Sequence, residues 1–235
     1  FKFADIGYYT YTFNYDKDHL ICYKSYISAD SEQACHLIIS KQNGSVVREI
    51  QVPAKGIKTP VLIIGEATLE TTYHQTLPYQ DSWVLINASS DTMYRYSPDG
   101  YIYPLIARTP SIYHMDTEVY LFPVVFTDRY YFMRTIKKEF DLETRKGFPS
   151  KDLVYDRQEK ETFEYILYNG DFSNKRQMFL RTIPVNAEIA FWQRLDAPNL
   201  VEAYEKGELK GRLNEIAANL DEEDNAVIVL AKYKK

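Results

Sequence analysis

Asp128-Arg129-Tyr130-Tyr131-Phe132 is one occurrence of a pattern that decides the fold: an acidic or amide turn residue, one variable position, then a run of apolar and aromatic residues. The pattern also reads Asp18-His19-Leu20-Ile21-Cys22, Asp81-Ser82-Trp83-Val84-Leu85 and, more weakly, Asn186-Ala187-Glu188-Ile189-Ala190-Phe191, at intervals of 63, 47 and 58 residues. After each of the first three units a second turn follows, at Gln42-Asn43-Gly44, Pro98-Asp99-Gly100 and Gln158-Glu159-Lys160. The first two have the chemistry that tight antiparallel connections favour. Each unit therefore reads as a four-stranded meander, and stacked meanders of this size predict an all-β fold of β-propeller type. The blades fall near 1–52, 53–108, 109–168 and 169–235, as one propeller domain or part of one. Trp83 and Trp192 take the same kind of second-strand position and are expected to be buried.

The fourth unit changes period. Asp196 is an N-cap, Pro198 is tolerated in the first turn, and Gly207 ends a first helix. Leu209, Leu213, Ile216, Ala217 and Leu220 then form one helical stripe. Two short helices are thus expected within 197–220, inserted in the last blade. The acidic run Asp221-Glu222-Glu223-Asp224-Asn225 lacks the spaced ligands and glycine of a calcium loop and reads as a solvated turn.

Composition bounds the function. Tyr numbers 21 and Phe 12 against 9 Gly, a bias toward residues that suit a pleated, half-buried surface. The net charge of -5 leaves no footprint for a polyanion, so nucleic acid is not an expected partner. Apolar runs such as 61–64 and 122–126 are far short of the roughly 18 residues that span a bilayer. The chain opens at Phe1, which reads as a processed boundary. Cys22 and Cys35 are too few for a disulfide scaffold and lack zinc or redox spacing. They are read as two small buried residues or, from near-mirror positions about a turn, as a cross-strand disulfide.

The second-to-third-strand connections, 27–34, 88–91, 137–151 and 196–225, are expected on one face, and long loops on a rigid scaffold are where binding collects. The third carries Lys137, Lys138, Phe140, Arg145 and Phe148, and His114 is expected near it. The aromatics and Arg145 could grip a peptide or sugar; equally, the aromatics could anchor the loop and the charges be solvated. There is no GxSxG, HExxH, P-loop or GxGxxG motif. The histidines, His19, His36, His74 and His114, lack ligand spacing, and no metal or cofactor is expected. Paired acids at a channel mouth are the one catalytic pattern weighed, with Asp116, Glu118, Asp141 and Glu143 available.

The stretches Leu121-Phe122-Pro123, Thr127-Asp128-Arg129-Tyr130-Tyr131-Phe132-Met133, Asp152-Leu153-Val154-Tyr155-Asp156, Leu209-Lys210-Gly211-Arg212-Leu213-Asn214-Glu215-Ile216-Ala217 and Glu223-Asp224-Asn225-Ala226-Val227 carry a resemblance. It covers most of 80–235, and the wording is similar to the C-terminal part of the uncharacterised six-bladed β-propeller proteins, exported and often lipid-anchored, of Gram-negative gut anaerobes. The resemblance implies an extracytoplasmic location, in the periplasm or at the cell surface, and a ring of NHL-like shape; it supplies no catalytic residues. About four blades are counted here against six, and an open arc would leave strand edges free to associate. The expected function is a non-catalytic exported binding module for a peptide, glycan or partner protein. The alternatives are a glycan-cleaving hydrolase or lyase with carboxylates at the channel mouth, and a structural platform in a surface complex.

Overall fold

The computed structural model describes residues 9–24, 35–180 and 188–233. The expected 27–34 connection and the Asn186-Ala187 turn lie outside them. The first meander is β1 (Tyr9–Asn14), β2 (His19–Lys24), β3 (Cys35–Ser40) and β4 (Val46–Ile50), hydrogen-bonded in consecutive order. A hairpin that the repeat did not anticipate follows, β5 (Val61–Ile64) and β6 (Ala67–Glu70). Its Gly65-Glu66 turn uses the glycine at φ 61°, which suits a two-residue connection. The second meander is β7 (Thr76–Tyr79), β8 (Ser82–Leu85), β9 (Thr92–Tyr96) and β10 (Ile102–Ala107). A 3-10 turn at Ile112–His114 leads to β11 (Val119–Phe126) and β12 (Tyr130–Lys137). The chain then makes a two-rung hairpin, β13 (Phe140–Asp141) with β14 (Lys146–Gly147), before β15 (Ser150–Asp156) and β16 (Glu161–Glu164) complete the third meander in the order β11-β12-β15-β16.

The last part is less regular. β17 (Leu167–Tyr168) pairs with β18 (Gln177–Met178), and β19 (Ile189–Leu195) pairs with β20 (Val227–Lys232). The helices α1 (Ala197–Glu205) and α2 (Gly211–Ala217) lie between β19 and β20, within the expected span. Among the described residues the fold is therefore all-β with two short helices, built from several antiparallel sheets of which none closes on itself. No helix among the described residues is long and apolar enough to cross a membrane.

The chain divides into two compact units, one of Phe1–Pro123 with Arg134–Lys151, the other of Val124–Met133 with Asp152–Lys235. Within the first, the two meanders share a core: Ile21, Ile38, Ile50 and Val52 meet Leu85 and Tyr96, with Phe13, Tyr15 and Trp83 packed against them. Arg48 ties the sheets together by donating to the Tyr96 hydroxyl at 2.8 Å. In the second unit, α1 and α2 bury Leu200, Ala203, Leu213 and Ala217 against Phe172, Leu195 and Leu209. A separate cluster joins Val124, Val125, Leu180 and Phe191.

Two local expectations need correction. Trp83 is half-buried and stacks on Tyr15, but Trp192 is 37% exposed. In β19 the buried phase falls on Phe191 and Leu195, so Trp192 points to the opposite face, across from Leu230; a one-residue phase difference reverses every side chain. Asp196 does stand at the N-cap of α1 but makes no cap hydrogen bond, since its carboxylate takes Arg194 Nε at 2.7 Å.

Candidate functional site

The connection between β8 and β9 organises its surroundings through a few buried polar atoms. Ser89, fully buried, accepts from Lys58 N at 2.8 Å and donates to the Lys58 carbonyl at 3.1 Å, which fastens segment 56–58 to the loop. The Tyr113 hydroxyl lies 2.8 Å from the Ser89 carbonyl and 3.0 Å from the Gly56 carbonyl, so its one proton serves both. Asp91 holds the other side: Oδ1 accepts from Arg108 Nε at 3.0 Å and from Ile112 N at 2.8 Å, and Oδ2 accepts from the Ser111 hydroxyl at 2.5 Å. Burial works to raise the Asp91 pKa, but these donors outweigh it and keep the carboxyl below its ordinary value.

So anchored, Lys58 reaches Glu118. Its Nζ lies 2.5 Å from Oε1 and 5.6 Å from the Tyr113 ring centroid. Lys138 Nζ approaches the other oxygen, Oε2, at 3.0 Å, and the Tyr120 hydroxyl is 3.0 Å from that oxygen and 2.7 Å from the Thr59 carbonyl. The Lys138 backbone N–H also donates to the Glu118 carbonyl at 2.8 Å. Burial pushes the Glu118 pKa up, yet hydrogen bonds from Lys58, Lys138 and Tyr120 prevail and hold it low. Two ammonium groups on one ionised carboxylate leave an uncompensated positive charge, and both lysine side chains remain 28% exposed.

The 137–151 connection is a built structure. Lys137 N donates to the Pro149 carbonyl at 2.9 Å, and Phe148 N to the Glu139 carbonyl at 2.8 Å. The Asp141 carboxylate caps the tip through Glu143 N at 2.9 Å and Thr144 N at 3.1 Å, and the Thr144 hydrogen bond lowers its pKa. A methyl group on Gly147 would touch Phe140 at 3.5 Å, Leu69 at 3.6 Å and Leu62 at 3.7 Å, so this hairpin lies against β5 and β6. Arg145 and Phe148 stand at φ 54° and 59°, a backbone region that costs side-chain-bearing residues about 1–2 kcal/mol each.

Of the residues singled out in the sequence, Glu118 and Lys138 meet in this cluster. Lys137 pairs with Glu139, Arg145 is exposed, Phe140 and Phe148 are half-buried, and His114 is exposed at the end of its 3-10 turn. Sequence reasoning missed Lys58, Tyr113, Asp91 and Arg108. Only the Gly65-Glu66 turn signal could have flagged the hairpin that follows Lys58. The cysteines lie on adjacent strands, Cys22 opposite Leu37 and Cys35 opposite Lys24. Diagonal positions of this kind are about 7–8 Å apart, beyond the roughly 7 Å within which a bridge forms without backbone movement.

No protein-family model matches this chain, and no curated protein matches it. Among solved structures, it is similar to a "putative exported protein" from Bacteroides fragilis, at 14% identity and a TM-score of 0.52. The likeness covers 98% of this chain and 66% of the other, so this chain spans a little under two thirds of that protein's length. At this identity the likeness speaks for the fold.

Proposed function

We propose that this chain is a non-catalytic binding module of an exported protein, carried on the blades of a partial β-propeller, and that it takes an acidic ligand beside Lys58 and Lys138. Three consecutive four-stranded meanders support the propeller reading, and the Bacteroides fragilis neighbour's name supports export. The observation that carries the binding reading is the Glu118 cluster: its spare positive charge is partly exposed and stands on a fastened scaffold. Charge-assisted hydrogen bonds from such lysines suit a carboxylate, sulfate or phosphate group. The acids weighed for catalysis point the same way. A general acid needs a pKa raised toward the working pH, whereas Glu118 and Asp141 are both shifted down.

A glycan and peptide array, including acidic members, tests this with the wild type and a Lys138→Gln variant, which removes the spare positive charge. Glu118 keeps Lys58 and the Tyr120 hydroxyl in that variant, so folding is expected to hold. Acidic ligands should be captured by the wild type, and their signals should fall about tenfold in the variant. Full retention by the variant would move the site away from the Glu118 cluster.

A further inference from the structure

Asn43-Gly44 and Asn169-Gly170 are the two Asn-Gly pairs of the chain. Asparagine before glycine is chemically labile, because a glycine without Cβ lets its backbone nitrogen approach the preceding carboxamide. In both pairs the side-chain oxygen accepts from the backbone N–H two residues on, Ser45 N at 3.0 Å for Asn43 and Asp171 N at 2.9 Å for Asn169. A turn of this kind folds the carboxamide over the peptide that follows it.

The surroundings separate the two pairs. Asn169 is 7% exposed, and among the described residues its Oδ1 takes no donor besides Asp171 N. Asn43 is exposed, and its Oδ1 takes a second donor, the Ser45 hydroxyl at 2.8 Å. When the Gly44 nitrogen attacks Cγ, negative charge develops on Oδ1, and two donors already aimed at that atom stabilise it as an oxyanion hole does. In the resting turn the Gly44 N–H donates to the Ser40 carbonyl at 3.0 Å. Leaving that bond to react slows the step by about fivefold, the worth of one ordinary hydrogen bond.

We propose that Asn43 is a self-modification site of the folded protein, at which Ser45 assists closure of the Gly44 nitrogen onto the side chain. Hydroxide removes the Gly44 amide proton, the nitrogen–Cγ bond forms, and the Cγ–Nδ2 bond breaks as ammonia leaves with a proton from water. Water then opens the resulting succinimide at either carbonyl, giving aspartate or isoaspartate. The net change is carboxamide plus water to carboxylic acid plus ammonia, with nothing oxidised or reduced. The product adds a negative charge to a chain of formal net charge -5, and its isoaspartate form lengthens the main chain by a methylene between β3 and β4.

Peptide mapping after incubation in heavy-oxygen water at mildly alkaline pH tests this in the wild type, Ser45→Ala and Ser45→Thr, each folded and in urea, with melting temperatures measured first. Urea exposes both pairs alike and serves as the reference. The expected result is label at Asn43 in the folded wild type and at both Asn43 and Asn169 in urea. The folded-state rate at Asn43, taken relative to urea, should fall about fivefold in Ser45→Ala, which removes one donor, and persist in Ser45→Thr, which keeps it. Label at neither position in the folded protein while urea labels both, or label at Asn169 as fast as at Asn43, overturns the site. An unchanged relative rate in folded Ser45→Ala overturns the part given to the hydroxyl. Should Ser45→Ala lose its fold, the wild-type contrast between Asn43 and Asn169 decides alone.

Discussion

His36 is fully buried in β3, with Nε2 2.9 Å from the Gln75 carbonyl. The carbonyl can only accept, so Nε2 carries the proton, and Nδ1 has no partner among the described residues. Desolvation pushes the imidazole pKa down to about 4, against a smaller upward pull from the Gln75 hydrogen bond. The unfolded chain, with its ordinary value near 6.5, therefore takes up the proton first as the pH falls. Stability should decline between pH 6.5 and about 4, by up to about 3 kcal/mol from this group, and level off below that. Urea denaturation across the range should show this slope, and His36→Gln should flatten it; a slope unchanged in the variant would assign the dependence to other groups. The tryptophans make a second contrast at this scale. Trp83 packs against the shared core and Trp192 is 37% exposed, so Trp83→Ala should cost about 3 kcal/mol and Trp192→Ala less than about 1 kcal/mol. Equal losses in chemical denaturation would contradict the phase of β19.

At the scale of elements, the repeated acidic turn marks where each meander is clamped. Lys41, just after β3, donates from Nζ to the Asp16 carbonyl at 2.6 Å, and Arg157, just after β15, donates from Nη1 to the Asp128 carbonyl at 2.6 Å. In the second meander Arg95 Nη2 reaches the Asp81 carboxylate at 3.0 Å. The turn between β9 and β10 is tied to the first sheet as well, because Gly100 stands at φ 86° and a Cβ there would lie 2.3 Å from Arg48 Nη1. Gly100→Ala should destabilise by about 1–2 kcal/mol from the backbone alone, and more if Arg48 loses the Tyr96 hydroxyl. A variant with an unchanged urea midpoint would sink that argument.

These elements show why the meanders were legible in the sequence and the site was not. Turn chemistry at Pro98-Asp99-Gly100 and the stripe through Leu209, Leu213 and Ala217 are local signals. Lys58, Glu118 and Lys138 lie 60 and 20 residues apart, and tertiary contacts bring them together: Ser89 fastens Lys58, and the Lys138 backbone N–H bonds the Glu118 carbonyl. Lys138 was found because it sits in a long loop; Arg108 and Asp91 follow no spacing rule. Trp192 was misplaced because a strand's phase depends on which neighbour covers it.

Across the molecule, a regular β scaffold carries the proposed binding surface, where Lys58 and Lys138 converge on Glu118. The strands satisfy their own backbone groups, so selection is free to act on the connections, and here one connection has become a hairpin with two residues at positive φ. Calorimetric titration of the strongest acidic ligand from the array into the wild type and into Lys138→Gln, with melting temperatures measured alongside, tests that convergence. The expected Kd is at least tenfold weaker in the variant, about 1.4 kcal/mol, at an unchanged melting temperature. Equal Kd values in two equally stable proteins would contradict it.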